Sequence, residues 1–284
     1  MNPVVNADTP QRPGTTMQVP ECASLRLGRT TGILLLLASG GWVTCLLLGK
    51  VLGVWSDPNA EEHAAVAFAA YQQHSLAVSL VYDSSMMVGV LFMALAPLVY
   101  LTVARSRTEF SLLAAVFQGT AGLVSALAAS RWVIMLPLFA QTYVDPQTSA
   151  ATHAALDVTY QFISYFLGFT LGEQLYFILT GSWSLLLSIS LLSTPGEKRW
   201  LGWLGVVAGI FFLLASFEPL NFSRDQATLF GGVFAFFLLG GILLWLVWAL
   251  SLAVTLLTSR RVAQRATNSE DGGSGSTGQA VQES

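Results

Sequence analysis

The chain has 284 residues, 54% of them apolar and only 10% charged, with a formal net charge of −3. A water-soluble domain of this length needs more charge to cover its surface, and the near-neutral balance supplies no basic face for nucleic acid. Cys22 and Cys45 fall in the N-terminal tail and inside the first apolar run, which excludes a disulfide framework. The scattered cysteines and His63, His74 and His153 exclude zinc-finger spacing.

Residues 1–28 are expected to be a disordered tail, because Met1 to Arg26 lack periodicity and carry Pro3, Pro10, Pro13 and Pro20. A helix crosses a hydrocarbon core of about 30 Å with about 20 apolar residues. The first such run spans Thr31 to Trp55; coming after mostly polar residues and long enough to anchor, it is read as a span and not as a cleavable signal. The segment near 58–80 is expected as an outer amphipathic helix, with Asp57 as N-cap, Pro58 at the first position, and Val66, Phe68 and Tyr71 facing the membrane. The second span runs from about Tyr82 to Thr102 and the third from Phe110 to about Trp132. The stretch from Ala154 to Leu192 is too long for one ordinary crossing. The reading adopted is an outer helix near 150–170 followed by a fourth span, Leu171 to Leu192; the rival is a seventh span. The fifth and sixth spans run from Trp200 to Phe217 and from about Phe230 to Thr255. Residues 259–284, Gly/Ser-rich from Ala266 onward, are expected as a second disordered tail. The runs are continuous and lack the alternation of barrel strands, so the fold class is an all-α, polytopic transmembrane helix bundle of six spans over residues 29–258.

Orientation follows from the basic residues. Arg12, Arg26, Arg29, Arg105, Arg107, Lys198, Arg199, Arg260, Arg261 and Arg265 are ten of the thirteen, and six spans put all of them on one side. The other joins carry Asp57, Glu61, Glu62, Asp145 and Asp157. Both termini are therefore expected in the cytoplasm. Trp55 and Trp132 are expected to mark the outer interface, and Trp200 and Trp203 the inner one.

Charges inside spans are costly and point to function by default. Lys50, Asp83, Arg131, Glu173 and Glu218 each lie 19 to 25 residues from the nearest cytoplasmic basic residue. At about 1.5 Å per residue that is roughly 28 to 38 Å, a full hydrocarbon thickness. All five fall at the outer boundary, where they either mark helix ends or, in the sharper reading, Asp83, Arg131 and Glu173 form an outward-facing ligand pocket. Gln118, Ser125, Ser184 and Ser188 are left at the midplane, where interhelical hydrogen bonds are the expected use. His153 and Asp157, four apart, share one helix face and are weak metal candidates, with solvated outer residues as the default. No Walker A loop, GxSxG or HExxH is present, and the cofactor is unknown. The steps Gly168/Gly172 and Gly205/Gly209 read as close helix packing, and Gly231-Gly232 and Gly240-Gly241 as further contacts or a bend.

Two stretches carry a resemblance. Leu25-Arg26-Leu27-Gly28-Arg29-Thr30-Thr31-Gly32-Ile33-Leu34 resembles the start of the first helix in a family of uncharacterised bacterial six-helix membrane proteins, known only as a domain of unknown function. Leu179 to Ser193, followed by Lys198-Arg199-Trp200-Leu201-Gly202-Trp203-Leu204-Gly205-Val206-Val207-Ala208-Gly209, is similar to that family's passage from fourth to fifth helix. The resemblance implies a multi-pass protein of the bacterial cytoplasmic (inner) membrane. It brings no activity, so no functional residue follows from it. The expected function is non-enzymatic binding, sensing or assembly, with the bilayer and a lipid, small molecule or membrane protein as partner. The alternatives are a small transporter or channel, and a metal-dependent membrane enzyme with an outer-face site.

Overall fold

The computed structural model describes residues 21–51, 64–103, 108–193, 199–217 and 227–273, and every element among them is helical. In chain order these are α1 (Glu21–Val51), α2 (Ala64–Val103), α3 (Thr108–Ser130), a π-helical segment π1 (Arg131–Met135), and α4 (Leu136–Val144). Then come α5 (Ala150–Ile163), a second π-helical segment π2 (Ser164–Leu175), α6 (Tyr176–Leu192), α7 (Arg199–Ala215) and α8 (Ala227–Gly273). Five stretches are long and apolar enough to cross a membrane: Arg26–Val51, Ala64–Thr102, Glu109–Val144, Ala150–Leu192 and Gly232–Thr258. Arg199–Ala215 is a shorter apolar helix. The chain is an all-α, polytopic helix bundle.

Each helix packs on its neighbour in sequence, and α8 returns to pack on α1, so the bundle closes into a ring. Glycines set the spacing at two of these contacts. A Cβ on Gly122 of α3 would stand 2.6 Å from the Gly89 carbonyl oxygen of α2, and one on Gly209 of α7 would stand 2.8 Å from the Gly181 carbonyl oxygen of α6. Only a hydrogen at those positions lets the backbones approach so closely. The ring's centre is filled: Trp183, Trp245, Trp248, Phe92, Leu35 and Phe212 all belong to one buried cluster. Outside it the pattern inverts. Leu37, Leu47, Phe110, Leu239 and Leu243 are more than half exposed, as a lipid-facing surface requires and a wet one resists. Of the five long stretches, the one ending at Leu192 is the most enclosed, 61% of its apolar window being buried against 22–33% for the others.

Three helices are much longer than a crossing. Ala64–Thr102, Glu109–Val144 and Ala150–Leu192 have 39, 36 and 43 residues, which at about 1.5 Å per residue is about 54 to 65 Å. The excess lies at one end, where the first half of α2, α4 and α5 build a second, smaller core from Ala64, Ala67, Phe68, Val78, Leu136, Ala140, Trp132 and Tyr160. Phe68 is its hub, 1% exposed and within 5.0 to 6.4 Å, ring to ring, of Phe139, Tyr143 and Tyr160. Sequence reading had directed Phe68 to the membrane. It faces protein instead, because Phe139 and Tyr143 of α4 and Tyr160 of α5 cover it. Asp57 and Pro58, the expected cap of that helix, lie outside the described residues.

The segment from residue 64 and the second span form one helix, interrupted at His74 by a non-helical backbone (φ −133°, ψ 33°). The third span likewise passes Trp132 and runs on through π1 and α4 to Val144. There the chain reverses over Asp145-Pro146: Asp145 Oδ1 accepts from Gln147 N (2.9 Å), and Ser149 caps α5 by accepting from Thr152 N (3.2 Å). From Ala150 the chain is helical without a break to Leu192, so residues 150–170 belong to a longer fourth helix. Helix also reaches further at both ends than sequence suggested, starting at Glu21 and continuing to Gly273.

Candidate functional site

Arg131 opens π1 at the level where the bilayer-length part of α3 ends. It is 9% exposed, and it is the one charged side chain in the buried set of the described residues. Burial of a cation at the edge of a membrane requires built contacts, and three are present. Its Nη1 donates to the Ser164 carbonyl oxygen at 2.7 Å, at the junction where α5 gives way to π2. Its Cζ stands 5.0 Å from the centroid of the Trp132 ring, a cation–π distance. The guanidinium also lies against Gly168 of π2, where any Cβ would overlap it. Trp132 is in turn fixed by Tyr82 of α2, whose ring stacks on it at 4.8 Å and 11°. Trp132 is thus 8% exposed and buried between helices.

The two π-helical segments face each other across this contact. A π turn is wider than an α turn and is often found where a side chain is positioned for function. Gly172, one step along the same face of π2, packs on Ala128 of α3, to whose Cβ a Cβ on Gly172 would stand 2.9 Å away. The glycine step read in the sequence as packing therefore does two things: Gly172 admits α3 and Gly168 admits the guanidinium.

Glu173 follows Gly172 and is half-buried in π2. Asp83 follows Tyr82 and is exposed, with no hydrogen bond or ion pair among the described residues. Their chain neighbours reach the Arg131 region: Tyr82 stacks on Trp132, and Gly168, five residues before Glu173 in π2, lies against the guanidinium. Beside Arg131 is a cavity of about 10 Å³ lined mainly by Trp132, Met135, Leu136, Phe139 and Tyr160. That is room for about one water, far below the 300 Å³ or more of a preformed small-molecule pocket. Of the other boundary charges, Lys50 is exposed and Glu218 lies outside the described residues.

The second candidate pair is elsewhere, on α5. His153 packs its ring on Tyr143 at 4.4 Å, and Asp157 is half-buried one turn on. Among the described residues no group of three or more His, Cys, Asp or Glu side chains stands close enough to hold a metal ion. Cys45 is a buried free thiol.

The midplane polar residues differ from expectation. Ser184 bonds within its own helix, donating to the Thr180 carbonyl oxygen at 2.9 Å, while Gln118 Oε1 and Ser188 Oγ are buried with no hydrogen-bond partner. Ser164 and Gly168, which touch Arg131, and Tyr82, which stacks on Trp132, were not singled out as its surroundings by the sequence. Of these only Gly168 left a trace in the sequence.

No curated protein and no solved structure matches the chain. One family model does, over residues 30–254, from the first helix to the last, and the chain belongs to that family, described as Domain of unknown function (DUF4386).

Proposed function

We propose that this is a multi-pass protein of the bacterial cytoplasmic membrane, with six spans and both termini in the cytoplasm, that acts by binding, sensing or assembly at its outer face. The short helix Arg199–Ala215 supplies the sixth span in this reading, and the one-sided distribution of basic residues supplies the orientation. The observation that carries the functional part is Arg131: a guanidinium held inside the outer end of the bundle by Ser164, Trp132 and Gly168. Asp83 on the rim and Glu173 in π2 complete the site. The small cavity favours a partner that engages the outer face, or opens the π1–π2 contact, over one that drops into a ready pocket.

The alternative of a transporter or channel is less well supported, because tryptophan side chains occupy the ring's centre where a pore would run. The test is native mass spectrometry of the full chain in lipid nanodiscs, comparing wild type with a variant carrying Asp83→Asn, Arg131→Gln and Glu173→Gln. Loss of a retained mass or of a defined oligomer, with helical content intact, supports the outer site. An identical bound mass, oligomer and cellular phenotype in both proteins ends that reading.

A further inference from the structure

The seam between α1 and α8 ends in arginine on both of its sides. Gly28 and Gly32 fix where the two helices meet. A Cβ on Gly28 would stand 3.9 Å from the Leu256 carbonyl oxygen, and one on Gly32 would stand 2.9 Å from Leu257 Cγ and 3.1 Å from the Ala253 carbonyl oxygen. Counting outward from the Gly32 contact, Arg29 and Arg26 are three and six residues along α1, and Arg261 is four residues past Leu257 along α8. At about 1.5 Å per residue, all three are reached within about 5 to 9 Å.

These arginines continue helix faces that are exposed and apolar. On α8, Leu239, Leu243, Val247, Leu250 and Val254 are exposed and recur every three or four residues; Arg261 and Arg265 hold later positions of the same register, seven and eleven residues past Val254. On α1, Leu37 and Ile33 are exposed, and Arg29 and Arg26 follow at that spacing, both exposed as well. Gly40 extends the α1 stripe inward, with nothing within 4 Å of where its Cβ would be. Both stripes turn cationic where the apolar stretches stop, at Arg26 on α1 and at Thr258 on α8.

Cations gathered at the ends of two packed helices repel one another unless an anion lies between them. Neither helix supplies that anion at their level: Glu21 is five residues beyond Arg26, and Glu270 is nine beyond Arg261. Each of the three is an arginine, whose planar fork matches a phosphate with two parallel hydrogen bonds. We propose that the arginine-bearing end of the α1–α8 seam binds one anionic phospholipid, its phosphate among Arg26, Arg29 and Arg261 and its acyl chains along the apolar stripes of the two helices. The phosphate of a bilayer lipid lies just outside the hydrocarbon, the level at which both stripes become basic. Arg260 and Arg265 add positive charge on the same two turns of α8. A zwitterionic lipid carries an ammonium that these groups repel, and a free phosphate has no chains to lay on the stripes. The site is separate from Arg131 and stands or falls independently of it.

The test titrates the full chain, purified in mild detergent, with palmitoyl-oleoyl phosphatidylglycerol and counts bound lipids by native mass spectrometry. Phosphatidylcholine with the same chains is the control. The proposal expects one phosphatidylglycerol per chain to bind saturably, and phosphatidylcholine to bind about 10-fold more weakly or less. Arg26→Gln, Arg29→Gln and Arg261→Gln combined should raise half-saturation about 10- to 100-fold. Arg105→Gln, Arg107→Gln and Lys198→Gln combined remove as much charge from other joins and should change it less than about 3-fold. Arg261→Gln alone leaves α1 intact and should weaken binding about 5-fold, which gives a second reading if the triple variant fails to insert. Three results overturn the proposal: equal affinity for phosphatidylcholine, equal losses in the two triple variants, or displacement of the lipid by excess inorganic phosphate.

Discussion

Replacing Gly168 by alanine adds one methyl group to the face of π2 that lies against the Arg131 guanidinium. In an ordinary helix this change is favourable by about 1 kcal/mol, because glycine is the poorer helix former. Here the methyl and the guanidinium cannot share the space, so the guanidinium must leave its position. It then gives up a charged hydrogen bond to the Ser164 carbonyl, worth about 1.5–3 kcal/mol, and its place over Trp132, worth about 0.5–1 kcal/mol. Set against the gain in helix propensity, the net cost is about 1–3 kcal/mol. The informative form of the experiment is a double-mutant cycle with Arg131→Ala, read as unfolding free energy of the purified protein in mild detergent. With the guanidinium gone, Gly168→Ala should stabilise by about 1 kcal/mol, giving a coupling of about 2–4 kcal/mol between the two sites. Additive costs, or a neutral Gly168→Ala in the wild-type background, would refute the packing of Arg131 on π2.

Three further outcomes follow from other parts of the molecule. Gly122→Ala forces α2 and α3 apart at a backbone contact and should cost about 1–3 kcal/mol, whereas Gly40, with nothing within 4 Å of its missing Cβ, should gain about 0.5–1 kcal/mol on the same replacement; thermal unfolding in detergent separates the pair. Phe68→Ala removes the hub of the outer core, and the loss of about 3–5 kcal/mol expected for a buried phenylalanine should fall on that core. Hydrogen exchange should then speed up over residues 64–73 and 150–163 while α6 stays protected; uniform acceleration would deny the outer core its separate identity. Incubation with EDTA should leave the unfolding temperature of the purified protein unchanged, whereas a fall of several degrees, reversed by zinc, would revive a metal site at His153 and Asp157.

How much of this was legible in the sequence depends on the kind of signal each feature leaves. Apolar runs report directly on the bilayer, so the all-α bundle and the positions of its apolar helices could be read from them, and the Leu25–Leu34 and Leu179–Gly209 stretches pointed to the right family. The ends of the long helices could not be read in the same way. Phe68, Trp132 and Tyr160 are buried in one cluster of protein side chains, and apolarity alone does not distinguish a protein neighbour from a lipid. Depth counting found Arg131, since a charge is conspicuous in an apolar run. The Ser164 carbonyl to which it donates is a group every residue has, and the π-helical turns that present it have no distinctive composition. The midplane residues failed for another reason: the sequence identifies Gln118 and Ser188 as polar but says nothing about whether a partner stands within reach.

The contact between α8 and α1 also bears on how the protein is made. The face of α1 that carries Gly32, against which the Leu257 side chain and the Ala253 carbonyl of α8 are packed, is the first to be synthesised, and its partner is the last. Until some two hundred residues have followed, that face has only lipid or insertion machinery to rest against. A ribosome that stalls before α8 leaves an open crescent with an unmatched seam at each end. Such a product displays its incompleteness along the membrane plane, where a quality-control protease that samples lipid-exposed helices would meet it.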